Sequence, residues 1–313
     1  MRDQELPSSE RVMRGQERKT FDKKTFNDLK DFQGFVIRHE KLIDETFQEA
    51  KKRGRELSDV IYDLFYSEDI DAREYKNDQR FADVKKHYDR AAKDLLDRFL
   101  ALAKKYEQTP NPPIQASTSS IEAGWIYFKV AGGASRKKMG RMYLNIKPEY
   151  LPSFYEAILP EFNKQGVGVD AKIPKTASLD DFNRKDKMVI YFDEHDQQKL
   201  LEIIQRFHQD NAHTFIPKTV RFAAEIVDDH GFVMGGVGFG AEPSKGEGSF
   251  GDVRSKILAE VYPILKDRNA LAGKALETFL ASCQKHGVDR TNPAFNNDPN
   301  SFSVIRLRQN QTG

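Results

Sequence analysis

The sequence predicts an α+β protein, a largely antiparallel sheet with flanking helices, preceded by an N-terminal helical region. Three observations predict it. Residues 21–107 are rich in Lys, Glu, Asp and Leu and contain neither proline nor an alternating apolar pattern, which is the texture of amphipathic helices. From Thr109-Pro110-Asn111-Pro112-Pro113 to Ser120 the chain then breaks helix and thins its apolar content, marking a linker over 108–120. After Ser120, short apolar runs bounded by glycine turns alternate with helical patterns over 121–290, and 291–313 forms a tail.

Residues 1–20 are charged and poor in apolar groups, too poor to bury a core, and read as a disordered arm. Leu57, Val60, Ile61, Leu64 and Phe65 mark one helix. A second places Phe81, Val84, Tyr88, Ala91, Leu95, Phe99, Leu102 and Tyr106 at three- and four-residue steps, one apolar stripe opposite charge. Residues 125–130 and 142–146 read as strands joined by a basic loop, a hairpin with Gly132-Gly133 in its turn. A helix starts at Pro148, where proline is tolerated in the first turn, and runs to about Lys164. Strands at 167–173 and 188–192 follow, then a helix at 197–208 with Leu200, Leu201, Ile204 and Phe207 on one face. Another strand pair, 220–227 and 232–237, flanks the turn Asp228-Asp229-His230-Gly231. Ser249 caps a helix to about Leu265, with Asp252 completing a capping box. The last helix covers 271–285.

Composition sets bounds on function. A net charge of +2 gives no global signal for nucleic acid, so none is expected as a partner. One cysteine, Cys283, excludes an intrachain disulfide framework and a site of several thiolates. The histidines at 195, 208, 213, 230 and 286 show no metal spacing. No run approaches the roughly 18 apolar residues of a membrane span, and the start Met1-Arg2-Asp3-Gln4-Glu5 lacks the apolar core of a signal for general secretion. The expectation is a cytoplasmic protein, or one delivered into a host cell by a specialised secretion system.

The chemistry concentrates in three basic segments. Lys172 leaves an apolar strand, and Arg184 and Asp186 precede the strand that ends in Tyr191. Arg136, Lys137, Lys138 and Arg141 lie upstream, and Ser249-Phe250-Gly251-Asp252-Val253-Arg254 opens a helix downstream. Arginine grips a dianion bidentately, a helix N-terminus adds amides and a positive dipole end, and a lysine whose charge is disfavoured becomes a base. One phosphate ester would satisfy all three. Each group also has a plainer reading: Lys172 as a solvated lysine, Arg184 with Asp186 as a loop-fixing ion pair, Tyr191 as a core aromatic, Ser249 as an ordinary cap. Gly235-Gly236-Val237-Gly238-Phe239-Gly240 lacks the Gly-Lys-Ser/Thr of a Walker loop and reads as a flexible lid or bulge. Cys283, within a Leu- and Phe-rich helix, reads as core.

These residues carry a resemblance. Gly124-Trp125-Ile126-Tyr127-Phe128-Lys129-Val130, Arg141 to Asn145, Lys172, Asn183-Arg184-x-Asp186 with Val189-Ile190-Tyr191, Ala241-Glu242-Pro243 and Ser249-Phe250-Gly251-x-x-Arg254 occur in an order that resembles HopA1-type proteins, type III effectors of plant pathogens with relatives in lanthipeptide biosynthesis. That group is similar in turn to phosphothreonine lyases, in which a lysine base and a phosphate-gripping arginine stand twelve positions apart, as Lys172 and Arg184 do. The resemblance implies a cofactor-free β-elimination from phosphoserine or phosphothreonine, on a host protein or on a precursor peptide beside a kinase partner. It makes Lys172 the base, Arg184, Arg254, Arg136 or Arg141 and Ser249 the phosphate grip, and Tyr191 a contact to the phosphate or a support for Lys172. The lyases carry an acid histidine where this chain has Tyr127-Phe128-Lys129, so Lys129 or Tyr127 would supply the proton. The alternative is a non-catalytic effector or scaffold that binds a phosphorylated partner.

Overall fold

The computed structural model describes residues 23–66, 82–107, 113–117, 125–135, 139–175, 184–228, 230–243, 248–267, 269 and 273–297. The expected arm at 1–20, Phe81, Arg136 to Lys138, Asn183 and the end of the tail lie outside these residues, as do the side chains of Val84, Tyr88 and Ala91.

Among the described residues seven α-helices surround one sheet: α1 (Lys23–Lys51), α2 (Leu57–Ile61), α3 (Ala82–Glu107), α4 (Leu151–Lys164), α5 (Gln197–Asp210), α6 (Phe250–Leu265) and α7 (Lys274–Lys285). The strands are β1 (Ile114–Ser117), β2 (Trp125–Val130), β3 (Met139–Leu144), β4 (Val169–Pro174), β5 (Met188–Asp193), β6 (Ala224–Val227) and β7 (Val233–Ala241). They lie in the order β1-β2-β4-β5-β3-β7-β6, every pairing antiparallel. The expected α+β class is what the chain adopts.

Strand periodicity sorts the layers. Alternate residues such as Phe128, Ala171, Ile190, Met142 and Phe239 turn to a core shared with Leu95 and Phe99 of α3, Tyr155 and Phe162 of α4 and Leu200 and Ile204 of α5. The described half of the stripe foreseen in α3, Leu95, Phe99, Leu102 and Tyr106, makes this contact: Phe99 meets Tyr155 edge to face at 5.4 Å and Tyr106 meets Phe128 at 6.3 Å. On the opposite face Tyr143 and Val189 pack beneath Phe250, Val253 and Ile257 of α6, together with α1, α2 and α7. Phe32, Phe35 and Phe65 join α1 to the segment after α2, their centroids 4.7 to 6.2 Å apart. Asp28 of α1 accepts from the Phe222 amide at 2.6 Å, so the helical region is fastened to the layer beside the sheet.

Several expectations change. Strands β2 and β3 do not form a hairpin; two other strands, β4 and β5, stand between them. The glycine turn is present, with φ of 87° and 72° at Gly132 and Gly133, but the chain beyond it runs across the sheet end. There Asp170 of β4 takes the Ala134 amide (3.3 Å) and Asp193 of β5 takes that of Ser135 (2.7 Å). Part of the expected linker, Ile114–Ser117, is strand β1. The strand expected from Val220 starts only at Ala224, after a turn in which Phe222 has φ of 60°. The glycine run is the interior of β7 rather than a lid. A Cβ on Gly240 would fall 2.5 Å from the Phe250 ring, so the glycines admit close neighbours. Residues 291–297, expected in the tail, fold back: Ala241 donates to the Ala294 carbonyl at 2.7 Å. Cys283 is core as expected, and burial pushes its thiol up to about 12.

Candidate functional site

The strand registers place the polar residues of four strands on one face in two rows. Lys129, Asp170, Tyr191 and Arg141 stand side by side on β2, β4, β5 and β3, and Tyr127, Lys172, Val189 and Tyr143 form the next row. Helix α6 covers the Tyr143 end; Trp125, Tyr127, Lys172 and Tyr191 are half-buried at the other.

Lys172 is held at both ends. Its carbonyl accepts from Tyr155 through the core at 3.0 Å, and its Nζ lies 4.3 Å from the Trp125 ring centroid and 5.4 Å from that of Tyr191. Arg184, arriving from the β4–β5 connection, lies 5.6 Å from the same Trp125 ring. Arg141 rests on the Tyr191 ring at 4.8 Å. Two aromatic rings therefore bring together three cations from three segments, and cation–π attraction lowers the cost of crowding them.

Carboxylates hold both arginines. Arg184 donates Nε and Nη2 to the two oxygens of Asp186, each at 2.8 Å. Burial works against the Asp186 charge, but Arg184, with help from Lys172, keeps that carboxyl below its usual range. Arg141, only 7% exposed, pairs with Glu242 through Nε and Nη2. A guanidinium has five donors, so each keeps donors beyond its carboxylate.

Two further residues belong here that the sequence reading does not single out. Tyr62, in the π-helical turn Tyr62–Tyr66 after α2, accepts a long hydrogen bond from Arg184 Nη2 at 3.5 Å. Lys187 is completely buried and donates to Asn145 Oδ1 at 2.7 Å and to the Arg184 carbonyl at 3.0 Å, fixing the loop that carries Arg184. Burial brings its ammonium down from 10.5 to about 8, against the opposing pull of Asp186 and Glu149. A folded-state value below the unfolded one means that the unfolded chain holds the extra proton between about pH 8 and 10.5. Stability attributable to Lys187 therefore rises with pH across that window, by about 3 kcal/mol at most. Urea unfolding at pH 7.5 and 10 should show this rise in the wild type and a smaller one in Lys187→Met; equal slopes would remove Lys187 as its source.

Of the remaining expected site residues, Tyr127 and Lys129 share the polar sheet face, and Arg254 and Ser249 do not join it. Arg254 is 1% exposed and donates to the carbonyls of Pro293 (2.9 and 2.6 Å) and Phe295 (3.3 Å) and to Asn296 Oδ1 (3.2 Å), while its guanidinium covers the Phe250 ring at 4.0 Å. Its Nε and Nη2 donors bind the chain itself. Ser249 Oγ accepts from the Asp252 amide, and Asp252 accepts from that of Ser249, the foreseen capping box. Lys129 is exposed, with its stem beside Gly133. Tyr127 stands directly across from Lys172. Arg136 is outside the described residues.

A family model described as the HopA1 effector protein family matches residues 118–295, more than half of the chain. Among solved structures the chain is similar to the effector protein from Pseudomonas syringae pv. tomato strain DC3000, with 16% identity and a TM-score of 0.47 over 67% of this chain and 82% of that one. It is also similar to the effector protein from Pseudomonas syringae pv. syringae strain 61, with the same identity and score over 88% and 98% of the two chains. No curated protein matches the sequence.

Proposed function

The chain belongs to the HopA1 effector protein family, and from that premise we propose that it is a phosphoserine/phosphothreonine lyase, working by cofactor-free β-elimination on a host protein or a precursor peptide. The observation that carries the reading is that Lys172 and Arg184, twelve positions apart, both lie against the Trp125 indole, 4.3 and 5.6 Å from its centroid. A base and an anion grip must be this close, because the α-proton and the phosphate of one substrate residue are separated by only a few bonds. Arg184 and Arg141 offer their remaining donors to the phosphate and stabilise the charge it gains as it leaves. Lys172 Nζ takes the α-proton; the C–H electron pair becomes the double bond of the dehydroamino acid and the Cβ–O pair leaves with phosphate. Tyr191, beneath Arg141 and beside Lys172, keeps both cations in place. Delivery into a host cell fits this reading.

The second reading, a non-catalytic binder of a phosphorylated partner, is favoured by the same cations, since Arg184 and Arg141 suit phosphate whether or not it leaves. Mass spectrometry separates the two. Phosphoserine and phosphothreonine peptides incubated with the protein should lose phosphoric acid and give products that add a thiol. Unchanged peptides retained on the immobilised protein would establish the binder.

A further inference from the structure

We propose that Tyr62, contributed by the N-terminal helical region, is the general acid that protonates the departing phosphate, a role that rests on the lyase reading above. The elimination expels an oxyanion, and a donor must stand on the phosphate side of the substrate, away from the base. Tyr127 is the cross-strand neighbour of Lys172 itself, on the base side. Lys129 is one row further along, beside Asp170 and Gly133. Tyr62 instead stands at Arg184, 3.5 Å from Nη2.

The local fold accounts for that placement. Val60, Ile61, Leu64 and Phe65 are buried in the helical layer, and a π-turn begins at Tyr62, so its side chain leaves the register of its buried neighbours; such turns recur at functional sites. Its hydroxyl lies within range of the charges of Asp186, Arg184, Asp252 and Arg141, and Arg184 is the one it touches. Arg184 donates to the phenolic oxygen and a guanidinium cannot accept, so the phenolic proton is not spent on that contact. Burial raises the phenol to about 12, so it keeps its proton at neutral pH. In the step itself, Lys172 gains the α-proton, Cα=Cβ forms, the Cβ–O bond breaks, and the bridging oxygen takes the proton of Tyr62. Solvent then reprotonates the phenolate and removes the proton from Lys172.

The test uses the full chain and a phosphothreonine peptide. Tyr62→Phe should lower kcat by about 100-fold or more and leave KM within about threefold, since general acid catalysis acts on the transition state. Replacing Tyr62 with 3,5-difluorotyrosine, a more acidic phenol of nearly the same size, should move the alkaline limb of the kcat–pH profile to lower pH; a purely structural tyrosine would leave it in place. That variant also decides the matter if Tyr62→Phe does not fold. Wild-type turnover with a Tyr62→Phe rate within threefold and an unmoved limb would overturn the acid alone. A wild type that binds the peptide without eliminating phosphate would overturn the lyase reading, and the acid with it.

Discussion

Lys172→Ala should lose phosphate elimination by about 1,000-fold or more, within the range reported for removal of a positioned base, while retention of the phosphopeptide changes by less than about threefold. The asymmetry follows from the geometry. The phosphate grip proposed above is Arg184 and Arg141, and hydrogen bonds to Asp186 and Glu242, not to Lys172, orient them. Lys172 is half-buried, and its side chain contributes the cation–π contact with Trp125, worth about 0.5–2 kcal/mol, so the fold should survive. Lys172→Arg sharpens the test, because arginine restores the charge but stays protonated throughout the accessible pH range. It should bind as the wild type does and turn over no faster than the alanine variant. Peptide binding and turnover that fall together in both variants would make Lys172 a phosphate ligand and leave the base unassigned.

How much of this was legible depends on whether a contact is local. Lys172, Arg184 and Tyr191 lie within one segment, and their alternation with apolar residues already says that one sheet face is kept polar. The same parity links Trp125, Tyr127 and Lys129, and also Arg141, Tyr143 and Asn145. What it cannot say is which strand neighbours which. The glycine turn after Val130 has hairpin grammar, and only Asp170 and Asp193, 36 and 58 positions from the amides they accept, carry the chain past two strands instead. Tyr62 escaped because its neighbours Val60, Ile61, Leu64 and Phe65 read as a plain buried stripe; a tyrosine at the edge of such a stripe was the available signal. Lys187 follows Lys185 and Asp186 in what looks like a solvated charge run, and nothing local reveals that Asn145 has enclosed it.

Arg254 tests the other side of the sequence reading, and its loss should cost stability rather than affinity. Arg254→Ala removes a cation that satisfies two carbonyls and a side-chain oxygen in the 293–296 segment and leaves a void beneath Phe250. Buried acceptors left without donors cost about 1–3 kcal/mol each, so a loss of about 3–5 kcal/mol is expected in urea unfolding. Arg254→Lys should recover part of it, because one ammonium can reach some of the acceptors but cannot cover the ring as a planar fork does. Residues 293–296 are also clipped to the end of β7, where Ala241 donates to Ala294 and Asn296 donates to the Glu242 carbonyl at 2.9 Å, and Glu242 orients Arg141. A residual effect on peptide binding is therefore expected to reach the site through Glu242, and should stay within a few-fold under conditions where the variant remains folded. A large loss of affinity in a variant of wild-type stability would instead restore Arg254 to the phosphate grip, and would require the 293–296 segment to move aside when substrate binds.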